Sequence, residues 1–226
     1  INAIVPDTRG YNVGGGNPQW EPFRRMGTGD DERRLMNWQI DVEAGTATSA
    51  TGHRVKITPF MGVLGLAPAE AGRHRTAPPR LVGGNIDCKE LVVGTMLYLP
   101  IEVDGALFSV GDGHAAQGDG EISGTAIECP MQQVDLTFAV RDDMRLTTPS
   151  AKIHGGWMTL GFDEDLDEAT FKACNAMLDY MVATYQVERH EALALASVVV
   201  DLRVTQIVNG VKGVHAILRD DAIEKA

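Results

Sequence analysis

Short apolar runs separated by turn residues dominate the first two thirds of this chain and limit it to antiparallel β structure. Over residues 37–57, apolar and polar residues alternate on both sides of a turn near Gly45. An alternation of period two is typical of a strand with one buried face. Several such strands with regular turns predict an antiparallel β-sandwich or barrel. The further apolar runs lie at 91–93, 96–103, 106–110 and 134–140, and Asp104-Gly105 predicts a hairpin turn.

The pattern changes to a helical one near residue 161. Asp165 and Glu168 have the spacing of a capping box, and apolar residues then recur every three or four positions to Tyr185. Cys174 lies on that apolar stripe, so we interpret it as core packing. A second short helix over 191–197 and strands over 198–204 and 214–218 complete a small α+β unit.

These patterns predict a mostly β protein with an α+β C-terminal part, in three segments. Residues 1–31 are rich in Gly, Pro, Asn and Asp and are expected to form an irregular arm. Residues 32–160 are expected to form the β-sandwich or barrel domain that carries the site. Residues 161–226 are expected to form the α+β subdomain.

Charge and composition exclude several classes of function. The formal net charge is −11 and the sequence pI is about 4.9, so a polyanion would be repelled and nucleic-acid binding is not expected. No apolar run approaches the ~20 residues of a membrane span. The 3 cysteines are too few and too scattered for a disulfide framework or a thiolate zinc site. A cytoplasmic protein without a membrane partner is the prediction.

The segment 109–128 carries the chemistry that the rest of the chain lacks. It reads SVGDGHAAQGDGEISGTAIE and combines one imidazole, carboxylates and a carboxamide with repeated glycines. Glycine allows sharp turns and a close approach of the backbone to a ligand. A surface loop explains any short piece of this segment, but the whole is more typical of a functional site.

A divalent-metal site is predicted from two pairs of residues. Asn85 and Asp87 share a face if the chain is extended there, and so do Asp112 and His114. Carboxylate, amide and imidazole groups suit Zn²⁺ or Ca²⁺. The alternative is that Asn85 and Asp87 only cap a turn.

Further polar residues of the segment are candidates for acid–base work. Asp119, Glu121 and Glu128 can each transfer a proton or hold the loop, and the sequence does not choose among them. The carboxamide of Gln117 suits a substrate amide, although an exposed loop glutamine is an equal alternative. Cys88 is a weak nucleophile candidate, because it faces away from the site if Asp87 faces towards it.

The segment resembles the signature of the acetamidase/formamidase family, which is close to GDxHAAQGDGE followed by GTAIE. Further matches lie at 59–70, 83–88, 97–100, 105–109, 153–155 and 201–206, and the 153–155 match makes His154 a substrate-site candidate. The resemblance implies hydrolysis of a small amide, of the formamide or acetamide type or a lactam, with a metal-activated water. It also implies a homo-oligomer. The chain resembles the C-terminal two thirds of such a protein, so a separate N-terminal fragment of the same precursor is a further expectation.

Other motifs leave two rival classes. The chain has no G-x-S-x-G, Walker A or H-E-x-x-H motif. Paired carboxylates also suit another hydrolase, such as a glycosidase. A non-catalytic metal-binding β-protein of the same fold is the second alternative.

Overall fold

Antiparallel pairing of short strands organises most of the chain. The computed structural model describes residues 1–30 and 32–224. The strands are β1 (Ala3–Pro6), β2 (Arg9–Gly14), β3 (Arg34–Asp41), β4 (Thr46–Ser49), β5 (Arg54–Lys56), β6 (Phe60–Gly65), β7 (Gly83–Asn85), β8 (Met96–Tyr98), β9 (Ser109–His114), β10 (Met131–Asp135), β11 (Ser150–Ile153), β12 (Gly156–Asp163), β13 (Val200–Gln206) and β14 (Lys212–Arg219). The helices are α1 (Glu21–Arg25), α2 (Leu166–Tyr185) and α3 (Arg189–Val199).

The strands pair in four sheets, and the predicted mostly β class is confirmed. The sheet orders are β13-β14-β12-β11-β8, β2-β3-β4-β5, β7-β6-β9 and β1-β10. Every one of these strand neighbours runs antiparallel. A closed sandwich or barrel stays a prediction. Within the described residues, no helix combines the length and apolar character needed to cross a membrane.

Helix α2 forms where its local signals predict it and packs on the five-stranded sheet. The Asp165 carboxylate caps it by accepting from the Asp167 and Glu168 backbone N–H groups at 2.8 and 3.2 Å. Gly161 permits close packing, since a Cβ there would lie 2.0 Å from the Ala169 carbonyl oxygen. The helix therefore buries an alanine- and methionine-rich face, and Cys174 is only half-buried rather than fully in the core.

Three local predictions differ from the structure. Residues 1–31, expected to be irregular, include β1, β2 and α1. Strand β2 forms through pairing with β3 and through the bridge between Tyr11 and Glu128, which are tertiary contacts that a local pattern does not show. The strand expected over 134–140 ends at Asp135. The Asp104-Gly105 turn forms, but without the flanking hairpin strands.

Strand β6 is the element that places the site. It lies between β7 and β9, and five of its six residues are buried. Phe60 pairs with His114 at one end of β6, and Val63 pairs with Asn85 towards the other end. The carboxyl end of β7 and the signature strand β9 are thereby held on either side of Gly62.

Candidate functional site

Carboxylates and one imidazole converge beside β6. The side-chain ligand atoms of Asp87, Asp112 and His114 lie within 4.8 Å of one another. The same limit holds for His114, Glu121 and Glu128. The two groups share His114, so the structure unites five of the nine residues predicted from sequence.

Gly62 leaves the space around which these groups gather. A Cβ at this position would lie 2.5 Å from Asp87 Oδ1, 2.8 Å from Asp112 Oδ2 and 2.9 Å from His114 Cε1. The Gly62 carbonyl also accepts from the Asp87 backbone N–H at 3.1 Å. The missing side chain at Gly62 is therefore what allows three polar groups to face one point.

Three of the site residues have left-handed backbone. Their φ values are 51° at Asp87, 61° at Asp112 and 46° at Glu121. The assumption that both residue pairs lie in regular extended strands is therefore wrong, since β7 already ends at Asn85. Left-handed backbone at residues other than glycine is uncommon and clusters at functional sites, where the surrounding structure enforces it.

His114 is buried between two carboxylates. Its Nε2 lies 3.1 Å from Glu128 Oε2 and 3.4 Å from Asp112 Oδ1, and the Phe60 ring packs edge-on at 4.9 Å. Burial by itself lowers the pKa of His114, but the contacts with Asp112 and Glu128 outweigh it and raise the pKa to about 10. The contact with His114 in turn lowers the pKa of Asp112.

Asp87 and Glu121 are the most deeply buried carboxylate residues of the cluster, with 1% and 6% of their surface exposed to solvent. Burial raises the pKa of Asp87 to about 6, although the charge of His114 opposes this. Burial and then the neighbouring charge of Asp87 raise the pKa of Glu121 to about 9. Both carboxyl groups are thus placed where a negative charge is poorly solvated.

The backbone and one carboxylate oxygen of Asp87 are fixed by two amide side chains. Asn209 Nδ2 donates to Asp87 Oδ2 at 2.5 Å, and Gln117 Nε2 donates to the Asp87 carbonyl at 2.7 Å. The sequence did not single out Asn209, because Asn before Gly is an ordinary turn signal. Gly62 was also missed, since only the three-dimensional packing shows what its Cβ would displace.

Several polar atoms of the site have no hydrogen-bond partner among the described residues. These buried atoms are Asp87 Oδ1, both ring nitrogens of His114, Glu121 Oε2, Asn85 Oδ1 and Gln117 Oε1. No lysine or arginine of the described ranges forms an ion pair with the carboxylates of this cluster. Buried polar atoms normally find a partner, so the cluster has capacity for a cation or a polar ligand.

Asp119 and His154 lie outside the cluster, so Asp119 fits its alternative role of holding the loop and His154 does not reach the substrate site predicted for it. Asp119 Oδ2 lies 3.0 Å from Lys89 Nζ and 3.7 Å from Arg203, so its charge is engaged by two cations. His154 is exposed, and its Nε2 lies 2.7 Å from the Val93 carbonyl oxygen. Both contacts hold these side chains away from the atoms that gather at Gly62.

Cys88 is fully buried and packs against Met158, with 3.8 Å between their sulfur atoms. Burial raises the pKa of the Cys88 thiol. A neutral thiol inside the apolar core is a poor nucleophile. The expectation that Cys88 faces away from the site is met.

A buried histidine on β14 is expected to make the stability of the fold depend on pH. His215 is fully buried, its Nδ1 lies 2.8 Å from Thr205 Oγ1, and burial lowers its pKa to about 4. A histidine in an unfolded chain titrates near 6.5, so below that pH the unfolded state takes up a proton that the folded state resists. The stabilisation is complete above pH ~6.5 and is lost as the pH falls towards ~4.

We therefore expect His215→Gln to be less sensitive to acid than the unchanged protein. Between pH 7 and 4.5 the unchanged protein should lose roughly 2–3 kcal/mol more unfolding free energy than the variant. Urea unfolding at both pH values measures the difference. Parallel pH dependence in the two proteins would contradict this account of His215.

Two curated proteins match a short part of this chain. The chain is 51% identical over 49 residues to an acetamidase of Mycolicibacterium smegmatis and 49% identical over 55 residues to a formamidase of Methylophilus methylotrophus. These matches cover 22% and 24% of this chain but only 12% and 14% of the relatives.

The match to a solved structure is longer. The chain superposes on an acetamidase from Bacillus halodurans with a TM-score of 0.84 and 30% identity, over 97% of this chain and 71% of that one. The model of the acetamidase/formamidase family matches residues 69–218. Since that match spans well over half of the chain, this protein belongs to the acetamidase/formamidase family.

Proposed function

We propose that this protein hydrolyses the carbon–nitrogen bond of a small amide at a divalent-metal site held by Asp87, Asp112 and His114. The observation that carries the proposal is their convergence on the space left by Gly62, where no described lysine or arginine balances the carboxylates. Family membership supports the choice of an amide over a glycoside or a non-catalytic ligand.

The donor set suits a hard or borderline cation. Once His114 has released its proton, two carboxylates and one imidazole match the oxygen and nitrogen ligands of Zn²⁺, and the surplus of oxygens also suits Ca²⁺. Asn85 has a free buried Oδ1 and is the fourth candidate, while Asn209 keeps Asp87 oriented. When bound, the cation lowers the pKa of a water and polarises the amide carbonyl.

Glu121 is the group we assign to proton transfer. Its Oε2 is buried beside Asp87 without a described hydrogen-bond donor. A cation bound at Asp87 would lower the raised pKa of Glu121, so that its ionised carboxylate would take a proton from the attacking water and give it to the leaving nitrogen. Glu128 is less free, because its Oε1 accepts from the Ala126 N–H at 2.9 Å and its Oε2 faces His114. We assign Glu128 to orienting the imidazole.

Two other residues act through the loop rather than on the substrate. Gln117 holds the Asp87 backbone, and Asp119 ties the signature segment to Lys89 and Arg203. The products are a carboxylate and ammonia, or an amino acid when the substrate is a lactam. A cytoplasmic location, a homo-oligomer and a separate N-terminal fragment stay predictions.

The proposal is tested with three substrate classes offered to the same preparation: acetamide and formamide, a simple lactam, and a glycan. We expect release of ammonia from the linear amides, with the lactam deciding between the two amide types. Cleavage of the glycan without any amide hydrolysis would contradict the proposal in favour of a carboxylate glycosidase.

Gly62→Ala should abolish most activity with little change in the surrounding sheet. The new methyl group would occupy the space between Asp87 and Asp112, and a displacement of catalytic groups by about 1 Å can cost ~10²-fold. Acetamide turnover and bound metal are both expected to fall. Gly118→Ala is the control, since its Cβ would meet nothing within 4 Å. Equal activity of the two variants would contradict the role given to Gly62.

A further inference from the structure

A cavity of about 400 Å³ opens between the N-terminal segment and two later loops. Pockets of roughly 300–1,000 Å³ are typical of ligands much larger than formamide. Its wall joins the aromatic and aliphatic side chains of Tyr11, Val13, Trp20, Phe23 and Val208 to glycines and to the polar side chains of Asn17, Arg33, Ser123 and Thr125.

Backbone contacts connect the cavity wall to the candidate site on three sides. Tyr11 and Glu128 exchange two backbone hydrogen bonds of 2.9 and 2.8 Å. Gly124, which lines the cavity, donates from its N–H to the Glu121 carbonyl at 2.8 Å. Val208 directly precedes Asn209, whose side chain donates to Asp87. The cavity wall is therefore joined through the backbone to the elements that carry the acidic cluster, although no side chain of the cluster lines it.

The far wall of the cavity is an aromatic pair. The Trp20 and Phe23 rings meet edge to face, with 4.3 Å between their centroids. Phe23 is buried, and it supports the half-buried indole of Trp20, which lines the cavity. Planar substituents pack well on such a surface, since aromatic rings attract one another in edge-to-face and offset geometries.

We propose that this cavity holds an aromatic substituent of the substrate, so that the preferred substrates are primary amides of arylacetic type. The inference rests on the proposed amide hydrolysis. The amide group would lie at the acidic cluster and the ring against Trp20. Water supplies the oxygen of the new carboxylate, the carbon–nitrogen bond breaks, and the nitrogen leaves as ammonia.

The test compares phenylacetamide with acetamide in the unchanged protein, in Trp20→Ala and in Val208→Phe, which fills the cavity without removing the indole. We expect kcat/KM for phenylacetamide to exceed that for acetamide in the unchanged protein. Each variant should reduce this ratio by about tenfold or more. Phe138→Ala is the matched control, because Phe138 is 66% exposed and packs on Phe108, away from the cavity wall. It should leave both rates unchanged.

Binding of phenylacetamide, measured by calorimetry on the same proteins, distinguishes a failure of amide hydrolysis from a failure of the aromatic cavity. If no amide is hydrolysed, the proposed function fails, and the binding data alone decide the inference. Binding that is weakened by Trp20→Ala and Val208→Phe supports the aromatic cavity. Absent binding, or an equal loss for both amides in properly folded variants, overturns it. Thermal unfolding confirms that each variant is folded.

Discussion

Glu121→Gln is expected to lower kcat for acetamide by about 10²–10⁴-fold, the range that a positioned general acid–base group contributes. Glutamine keeps the size of the side chain but cannot take a proton from water and pass it on. The protein should still fold, because Glu121 is 6% exposed and its site already disfavours a negative charge. Steady-state ammonia release measures the change, and elemental analysis should show that metal content is kept.

Glu43→Gln is the matched control for this substitution. Glu43 is exposed in the turn between β3 and β4, so the same chemical change should leave kcat unaltered. If Glu121→Gln retains more than about a tenth of the activity, proton transfer must be assigned elsewhere, and Glu128→Gln becomes the deciding variant.

Asp87→Asn is expected to remove both metal and activity. The carboxylate oxygen Oδ1 of Asp87 is the oxygen nearest to the space at Gly62, and an amide oxygen is a weaker metal ligand than a carboxylate oxygen. We expect bound metal to fall to a small fraction of one ion per chain and kcat/KM to fall by roughly 10²-fold or more, as when a metal ligand is lost. Elemental analysis and acetamide turnover are measured on the same sample.

Asp142→Asn controls for a general effect of charge. Asp142 is exposed in the loop before β11, and its replacement removes the same negative charge far from the cluster. Full activity together with full loss of metal in Asp87→Asn would contradict the metal-dependent account while leaving amide hydrolysis itself intact.

Local sequence signals predicted the elements whose causes are local. Helix α2 begins at the Asp165 cap and follows an apolar period, so the sequence was sufficient for its position. Strand β2 was missed because its pairing partners are β3 and Glu128, both distant in the chain. Predictions from the sequence thus depended on whether an element is stabilised from within or from elsewhere.

The candidate site also divides into features with a local sequence signal and features that depend on distant contacts. Asp87, Asp112, His114, Glu121 and Glu128 were found because their chemical types crowd into short glycine-rich segments. The extended geometry used to pair them was wrong, since left-handed backbone at Asp87 and Asp112 brings them together instead. His154 was proposed from a motif, yet its contact with Val93 keeps it apart. Asn209 gave no local signal, because it lies 122 positions from its partner Asp87 in the sequence.

Reversible removal of the metal is the most direct test of the central claim. Acetamide hydrolysis is measured on the purified chain before chelation, after chelation and dialysis, and after Zn²⁺ or Ca²⁺ is added back, with metal content determined at each step. Our account predicts that activity is lost with the metal and returns with one of the two ions at about one per chain. Undiminished amide hydrolysis in a metal-free sample would contradict it.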